Sequence, residues 1–187
     1  MENIQKSFDV IIVGAGTGGS TAARFTAEHG LEICLIDRKE RNNIGDKICG
    51  DAVGTEIFEF LNISPPKGEE LSCHIKGAKL YSPNLQKCII MTDPKQAGYI
   101  VNRLQFGQRL LNEALDAGVK QFLDNTMALD LLYNNGSVNG VKVKLSSGET
   151  IDLNAKIVID ASGFNSPIIK NIRSNSFHLT KTIINPR

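Results

Sequence analysis

Short apolar runs separated by polar, glycine-rich stretches predict alternating strands and helices at the head of the chain. Residues 10–13 form a β-branched run typical of a buried strand. The run breaks at Gly14 and continues as a segment rich in small residues, which predicts a helix. A second apolar run at 32–36 follows Gly30, a residue typical of a helix C-cap. Strand, helix and strand in this order predict an α/β fold with a parallel sheet.

The middle of the chain predicts a small antiparallel insertion between two helices. Thr55 can begin a helix that ends before Pro65 and Pro66. Residues 71–81 and 87–92 are partly alternating runs joined by a turn, which indicates a pair of returning strands. We interpret 71–98 as the start of a substrate-side sheet.

After a short extended stretch at 99–101, Asn102 can cap a helix over 103–117 that carries a wide apolar stripe.

The remaining residues predict further strands, among them a β-meander. Turns at 134–136 and 147–148 separate alternating runs, the last of which is predicted at 150–153. Residues 156–159 read as a separate, buried strand, while 171–187 show little periodicity. We therefore assign 1–70 and 99–170 to one domain, 71–98 to the insertion and 171–187 to an incomplete tail.

The turn at the head of the chain carries the clearest chemical signal. Its pattern is Gly14-x-Gly16-x-x-Gly19 between a strand and a helix, which is typical of a dinucleotide-binding turn. Gly14 suits the tight turn, Gly16 lets the backbone approach a pyrophosphate, and Gly19 lets the helix pack on the strand. Asp37 ends the next strand, where a carboxylate can accept hydrogen bonds from ribose hydroxyls.

Composition excludes several other classes of function. The 187 residues carry a net charge of +1 at pH 7, which gives no indication of nucleic-acid binding. The four cysteines include no Cys-x-x-Cys pair, so neither a metal site nor a disulfide scaffold is predicted. We expect Cys34, Cys73 and Cys88 to be small core residues.

The chain opens polar, and no apolar run approaches the roughly 18 residues of a membrane span. We expect a cytoplasmic protein, with peripheral contact at the membrane left open.

The order of motifs resembles that of a known superfamily. The glycine turn, Arg103 at a helix start, the meander and the sequence Asp160-Ala-Ser-Gly163 occur in the order found in flavoprotein hydroxylases and reductases. These proteins share the glutathione-reductase-type Rossmann fold with FAD. The motif Lys47-Ile-Cys49-Gly50-Asp51-Ala52 resembles one found in the geranylgeranyl reductase family. This family includes the archaeal digeranylgeranylglycerophospholipid reductases.

The resemblance implies a set of FAD-binding residues. The glycine turn would hold the pyrophosphate, and Asp37 would bind the adenosine ribose. Met127 or Ala128 would meet the adenine through backbone groups. The implied cofactor-binding residues are Gly14, Ala15, Gly16, Gly19, Asp37, Cys49, Gly50, Ala52, Arg103, Met127, Ala128, Asp160 and Gly163. Cys49, Gly50 and Ala52 would lie along the flavin side, and the planar guanidinium of Arg103 would reach the pyrophosphate or the ribityl chain.

The resemblance also implies an activity, the FAD-dependent reduction of geranylgeranyl double bonds in membrane lipid precursors. The partner that the resemblance implies is an isoprenoid lipid. The external electron donor, NAD(P)H or ferredoxin, is left unassigned, and no catalytic residue is predicted. Two alternatives remain open: an FAD-dependent monooxygenase or halogenase on the same fold, and a non-catalytic FAD-binding fragment.

This sequence departs from the family pattern in two places. Phe106 is followed by Gly107, where the family often has aspartate. A further Gly-Asp motif and a substrate domain are expected beyond residue 187, so we expect the chain to be the front part of a longer enzyme.

Overall fold

The computed structural model describes residues 4–92, 98–164, 166, 168 and 169. The strands within these residues are β1 (Ser7–Val13), β2 (Ile33–Ile36), β3 (Ala52–Gly54), β4 (Leu71–Ile75), β5 (Ala78–Tyr81), β6 (Cys88–Met91), β7 (Gly98–Val101), β8 (Gln121–Leu123), β9 (Met127–Asn134), β10 (Ser137–Lys144) and β11 (Thr150–Asp160). The α-helices within them are α1 (Thr17–Glu28), α2 (Thr55–Phe60) and α3 (Arg103–Asp116).

The described residues belong to two compact units. One unit is drawn from Met1–Ile44 and Leu110–Arg187, and the other is Gly45–Arg109. The insertion predicted at 71–98 belongs to the second unit, and its assignment to a substrate-side sheet stays a prediction. Residues 93–97 of that insertion, and the predicted tail at 171–187, lie outside the described residues.

The first unit contains a six-stranded sheet in the order β8-β2-β1-β11-β10-β9. The strands β8, β2, β1 and β11 are parallel neighbours, whereas β10 runs antiparallel to both β11 and β9. The parallel half and the antiparallel meander share one sheet through β11. This arrangement confirms the predicted α/β fold with a parallel sheet and a meander.

The strands β1 and β2, at the centre of the parallel part of the sheet, are buried on both faces, which explains their unbroken apolar sequences. Ile11 and Val13 of β1 pack in one core cluster with apolar residues of the meander strands. Val10 and Ile12 face the opposite cluster, which contains small residues of α1 and apolar residues of α3. The loop after β1 therefore follows a strand that is packed on both of its faces.

Strand β11 differs from the prediction of two separate strands. It is continuous over Thr150–Asp160, because its first part pairs with β10 and its second part with β1. Asn154 is the point of change, since it lies opposite both Gly140 and Ser7. The prediction that 156–159 is buried was also wrong, since Ile157 is 56% exposed.

The second unit differs from the prediction of one continuous run over 71–81. The strand β4 ends at Ile75 and pairs with β7, while β5 pairs with β6 in a separate two-stranded sheet. Gly77 lies between them, where a Cβ would stand 2.3 Å from the Met91 carbonyl oxygen. The helix α2 is shorter than predicted and is followed by Asn62 in a left-handed conformation (φ 46°).

Candidate functional site

The turn after β1 can be formed only by glycine at two positions. Gly14 has φ +100°, and a Cβ there would lie 2.6 Å from the Ala161 carbonyl oxygen. A Cβ on Gly19 would lie 1.7 Å from the Gly14 carbonyl oxygen, so the first turn of α1 packs directly on the loop. These two contacts agree with the roles that the sequence predicts for the first and third glycines.

Gly16 has a different environment, because it faces open space. It immediately precedes α1, and a Cβ added to it would meet nothing within 4 Å. The first turn of α1 contains no acidic residue. Backbone N–H groups at a helix start attract anions, so the space in front of Gly16 can accept a pyrophosphate.

Ala15 fixes the shape of this turn through both of its backbone groups. Its N–H donates to Asp37 Oδ2 at 2.7 Å, and its carbonyl oxygen accepts a hydrogen bond from Ser20 Oγ at 2.8 Å. Ser20 is fully buried on the inner face of α1. Sequence patterns give no signal for Ser20, because a small polar residue on a helix face of small residues is not distinctive.

Asp37 joins the turn to the loop after β2. Its Oδ1 accepts a hydrogen bond from the Lys39 N–H at 2.8 Å, so both carboxylate oxygens have backbone donors. A carboxylate has about four lone-pair positions, so room remains for hydroxyl donors. The geometry thus gives Asp37 a structural role that the sequence did not predict, and its contact with ribose stays a prediction.

The start of β9 lies beside the same loop. The Thr126 N–H donates to the Asp37 carbonyl oxygen at 2.9 Å, and the Asn125 N–H donates to the Lys39 carbonyl oxygen at 3.0 Å. Of the two residues predicted to meet adenine, Met127 is 50% exposed and Ala128 is buried in the core. Met127 therefore has the more accessible surface for a ligand.

The loop after β11 packs against the glycine turn. Asp160 lies opposite Val13 in the parallel ladder, and the Ala161 N–H donates to the Val13 carbonyl oxygen at 2.8 Å. The Asp160 carboxylate accepts hydrogen bonds from the Ser162 N–H at 3.0 Å and from the hydroxyls of Ser162 and Ser166. Gly163 follows with φ +87°. Asp160 therefore holds its own loop in place.

These residues meet at one edge of the six-stranded sheet. Gly14, Asp37 and Ala161 each follow the carboxyl end of a parallel strand, and the three strands are neighbours in the order β2-β1-β11. Ligands of open α/β sheets bind at this edge. The structure therefore brings together the predicted residues Gly14, Ala15, Gly16, Gly19, Asp37, Asp160 and Gly163.

The other predicted residues belong to the second unit. Cys49, Gly50 and Ala52 are exposed, and Ala52 pairs with Ile100 in the ladder between β3 and β7. Arg103 is the first residue of α3 and is partly buried. Their contact with the flavin half of a cofactor stays a prediction.

Gly107, where the family often has aspartate, lies at a close crossing of two backbone segments. A Cβ on Gly107 would stand 2.4 Å from the Cα of Gly45, which itself has φ +101°. The neighbouring Phe106 is buried, with its ring centroid 6.0 Å from that of Phe58. Glycine at 107 thus allows the loop around Gly45 to approach α3.

The cysteines differ in their environments. Cys34 is fully buried, and burial raises the pKa of its thiol to about 12. Cys49, Cys73 and Cys88 are exposed free thiols. The prediction was therefore confirmed for Cys34 and wrong for Cys73 and Cys88, because the strands that carry the latter two belong to small, open sheets.

Neither a metal site nor a membrane-spanning helix occurs in the described parts of the chain. No group of three or more His, Cys, Asp or Glu side chains within them could hold a metal ion. No described helix is long and apolar enough to cross a membrane.

Comparison with known proteins gives matches over most of the chain. Residues 9–164 match the model of the family described as FAD dependent oxidoreductase. The digeranylgeranylglycerophospholipid reductase of Sulfolobus acidocaldarius is 40% identical over 158 residues, which cover 84% of this chain and 34% of that protein. The enzyme of the same name from Methanothrix thermoacetophila is 37% identical over 163 residues, which cover 86% of this chain and 40% of that protein.

Solved structures agree with these matches. The crystal structure of a geranylgeranyl bacteriochlorophyll reductase-like protein from Thermoplasma acidophilum has a TM-score of 0.80 and 32% identity, over 88% of this chain and 41% of that one. The myxobacterial chondrochloren halogenase has a TM-score of 0.70 at 21% identity, over 89% of this chain and 39% of that one. At this identity the match shows a shared fold alone.

The chain thus spans between about a third and two fifths of the length of these relatives. The predicted resemblance to geranylgeranyl reductases is confirmed at the level of sequence and fold, and FAD is the cofactor named for the matching family. With its family model matched over residues 9–164, the chain belongs to the FAD dependent oxidoreductase family.

Proposed function

We propose that this chain is the FAD-binding part of an oxidoreductase that reduces the double bonds of geranylgeranyl chains in membrane lipid precursors. The 40% identity to a digeranylgeranylglycerophospholipid reductase over 158 residues is the observation that carries this proposal. Reduced FAD, when bound, supplies a hydride to one carbon of the double bond while a proton goes to the other. The residues of this chain bind and orient the cofactor.

The geometry of the sheet edge around Gly14 supports binding of the pyrophosphate and the adenosine part of FAD. Gly16 leaves open space in front of α1, and no acidic residue in the first turn of the helix opposes the anion. We assign the pyrophosphate to Gly14, Ala15, Gly16 and Gly19, with the loop from Asp160 to Gly163 beside it. Asp37 would use its remaining lone pairs for ribose, and Met127 and Ala128 would border adenine.

The second unit supplies the proposed contacts with the flavin half. Cys49, Gly50 and Ala52 would lie along the flavin, and Arg103 would bind the pyrophosphate or the ribityl chain through its guanidinium. The exposure of Cys49 and Gly50 is compatible with these contacts.

A lipid substrate requires access to a lipid phase, and we assign this contact to the hairpin β5–β6. Leu80 and Ile89 are paired on one face of the hairpin, and each is 63% exposed. Leu85 at the tip is 74% exposed. Residues 78–91 contain two lysines, Lys79 and Lys87, and no acidic residue, so the hairpin combines apolar side chains with positive charge. This combination is complementary to an anionic lipid surface.

Sedimentation with lipid vesicles tests this contact. We expect the chain to bind phosphatidylcholine vesicles more tightly when phosphatidylglycerol is added, and less tightly in high salt. Lys79→Gln with Lys87→Gln should weaken binding roughly 30-fold, because each lysine near such a surface contributes about 1 kcal/mol. The matched control is Lys142→Gln with Lys144→Gln on β10. Equal binding to neutral and anionic vesicles, or an equal effect of the control pair, would exclude this role.

The reductase proposal is tested by product analysis. Protein loaded with FAD and reduced by dithionite is incubated with a geranylgeranyl glycerophospholipid, and mass spectrometry should show two added hydrogens for each reduced double bond. A parallel incubation with oxygen and aromatic substrates tests the monooxygenase or halogenase alternative. Weak or absent retention of FAD, together with no turnover on either substrate, would favour the non-catalytic fragment and count against reduction by this chain.

A further inference from the structure

Asp51 has a buried carboxylate oxygen without a partner. Within the described residues, only two buried side-chain oxygens or nitrogens lack a hydrogen bond, namely Asp51 Oδ1 and Asn139 Oδ1. A carboxylate can only accept hydrogen bonds, and burying one of its oxygens without a donor is costly. Such an atom in a folded protein therefore requires an explanation.

Asn139 has a local explanation that Asp51 lacks. It lies at an irregularity of the β9–β10 ladder, where the register shifts between Val138 and Gly140. The side chain of a residue at a bulge is displaced from the regular pairing. Asp51 instead directly precedes the regular ladder between β3 and β7, in which Ala52 pairs with Ile100.

The backbone of Asp51 also has a conformation that few residues other than glycine, asparagine and aspartate adopt. Its φ is +56°, in the left-handed region that favours glycine. The neighbouring strand maintains this conformation, because the Val101 N–H donates to the Asp51 carbonyl oxygen at 3.0 Å. A left-handed backbone and an unsatisfied buried acceptor on the same residue are features that occur at ligand-binding positions.

The chemistry of the carboxylate restricts the identity of that ligand group. It must be an N–H or O–H donor, because a phosphate at this position would place two negative charges in contact. FAD carries such donors on the ribityl chain and on the isoalloxazine N3. Asp51 directly follows Cys49 and Gly50, the residues proposed for the flavin side. We infer that Asp51 Oδ1 accepts a hydrogen bond from the flavin–ribityl half of bound FAD, an inference that rests on the proposed function.

Asp51→Gly provides a specific test, because it removes the carboxylate without disturbing the fold. Glycine adopts the left-handed conformation freely, so the variant without cofactor should unfold a few degrees higher than the parent chain. Its FAD dissociation constant should rise about 10- to 100-fold, the range expected for loss of a hydrogen bond to a charged group. Asp51→Asn, which keeps a neutral acceptor, should have a smaller effect on FAD binding.

Two controls separate a cofactor contact from a structural effect. ADP lacks the flavin and the ribityl chain, so its dissociation constant, measured by calorimetry, should be the same for Asp51→Gly and the parent chain. Asn139→Ala removes the other unpartnered oxygen and should leave FAD affinity unchanged.

Unchanged FAD affinity in Asp51→Gly, or an equal loss of ADP affinity, would overturn the inference while leaving the proposed function intact. Failure of the unsubstituted chain to bind FAD would overturn the proposed cofactor site of this chain together with the inference.

Discussion

At the scale of single residues, Asp37 is the side chain on which the shape of the glycine turn depends. Its two oxygens accept hydrogen bonds from the Ala15 and Lys39 N–H groups at 2.7 and 2.8 Å. Asparagine at this position would keep one oxygen but place an amide N–H₂ group against the second donor. The same side chain supports the loop and is the one that we propose for contact with ribose.

We therefore expect Asp37→Asn to lower the free energy of unfolding by about 1–3 kcal/mol, since the N–H group of one partly buried hydrogen bond loses its acceptor. Urea denaturation followed by circular dichroism measures this change. Asp116→Asn is a suitable control, because Asp116 is exposed at the end of α3 and should change the stability by no more than about 0.5 kcal/mol. A loss of less than that amount in Asp37→Asn would show that the two hydrogen bonds do not support the turn.

The four thiols allow a second prediction at this scale. Burial raises the pKa of Cys34 to about 12, so its thiol stays neutral and inaccessible in the folded protein. A thiol reagent at pH 8 should label Cys49, Cys73 and Cys88 rapidly and Cys34 only after unfolding. Mass spectrometry of labelled peptides identifies the modified residues.

The sign of the accompanying pH effect follows from the raised pKa of Cys34. The folded state favours the protonated thiol, so this contribution to stability is present below the unfolded pKa of about 8.5 and declines as the pH rises above it. Rapid labelling of Cys34 in the native protein would contradict both expectations.

At the scale of elements, two helical glycines differ in what surrounds them. Gly107 in α3 lies against Gly45, so a Cβ there would stand 2.4 Å from the Gly45 Cα. Gly18 in α1 has nothing within 4 Å of an added Cβ. We expect Gly107→Ala to lower the free energy of unfolding by about 1–3 kcal/mol through overpacking.

Gly18→Ala is the matched control and should raise stability by about 0.5–1 kcal/mol, because alanine is the better helix former. Thermal unfolding of both variants provides the measurement. Similar midpoints for the two variants would mean that the loop around Gly45 can move away from α3 at little cost.

At the scale of the whole molecule, the two units differ in how well their backbones are protected. The strands β1 and β2 lie between two core clusters, whereas every residue of β5 and β6 is exposed. Isolated two-stranded hairpins are only marginally stable in water. Hydrogen exchange followed by mass spectrometry should therefore show β5–β6 exchanging first and β1–β2 last. Protection of the hairpin equal to that of β1 would contradict this order.

The features that the sequence predicts well are local ones. The apolar runs of β1 and β2 and the glycine spacing between them are encoded within a few residues, so the fold class and the tight glycine turn follow from the pattern alone. The continuity of β11 could not be predicted, because the polar residue Asn154 interrupts its apolar pattern. The strand continues through Asn154 because this residue pairs with two different strands. The left-handed conformation of Asp51 and the two hydrogen bonds of Asp37 also depend on distant backbone groups.

The parallel pairing of β1 with β11 has a consequence for biosynthesis. Asp9 on β1 and Lys156 on β11 form an ion pair although they are 147 residues apart in the chain. At a translation rate of about 5–20 residues per second, roughly 7–30 s pass between synthesis of the two strands. During this interval β1 can pair with β2 while its other edge is without a partner. We therefore expect the nascent chain to be most prone to aggregation before Asp160 has been synthesised, because the exposed edge of β1 can pair with other chains.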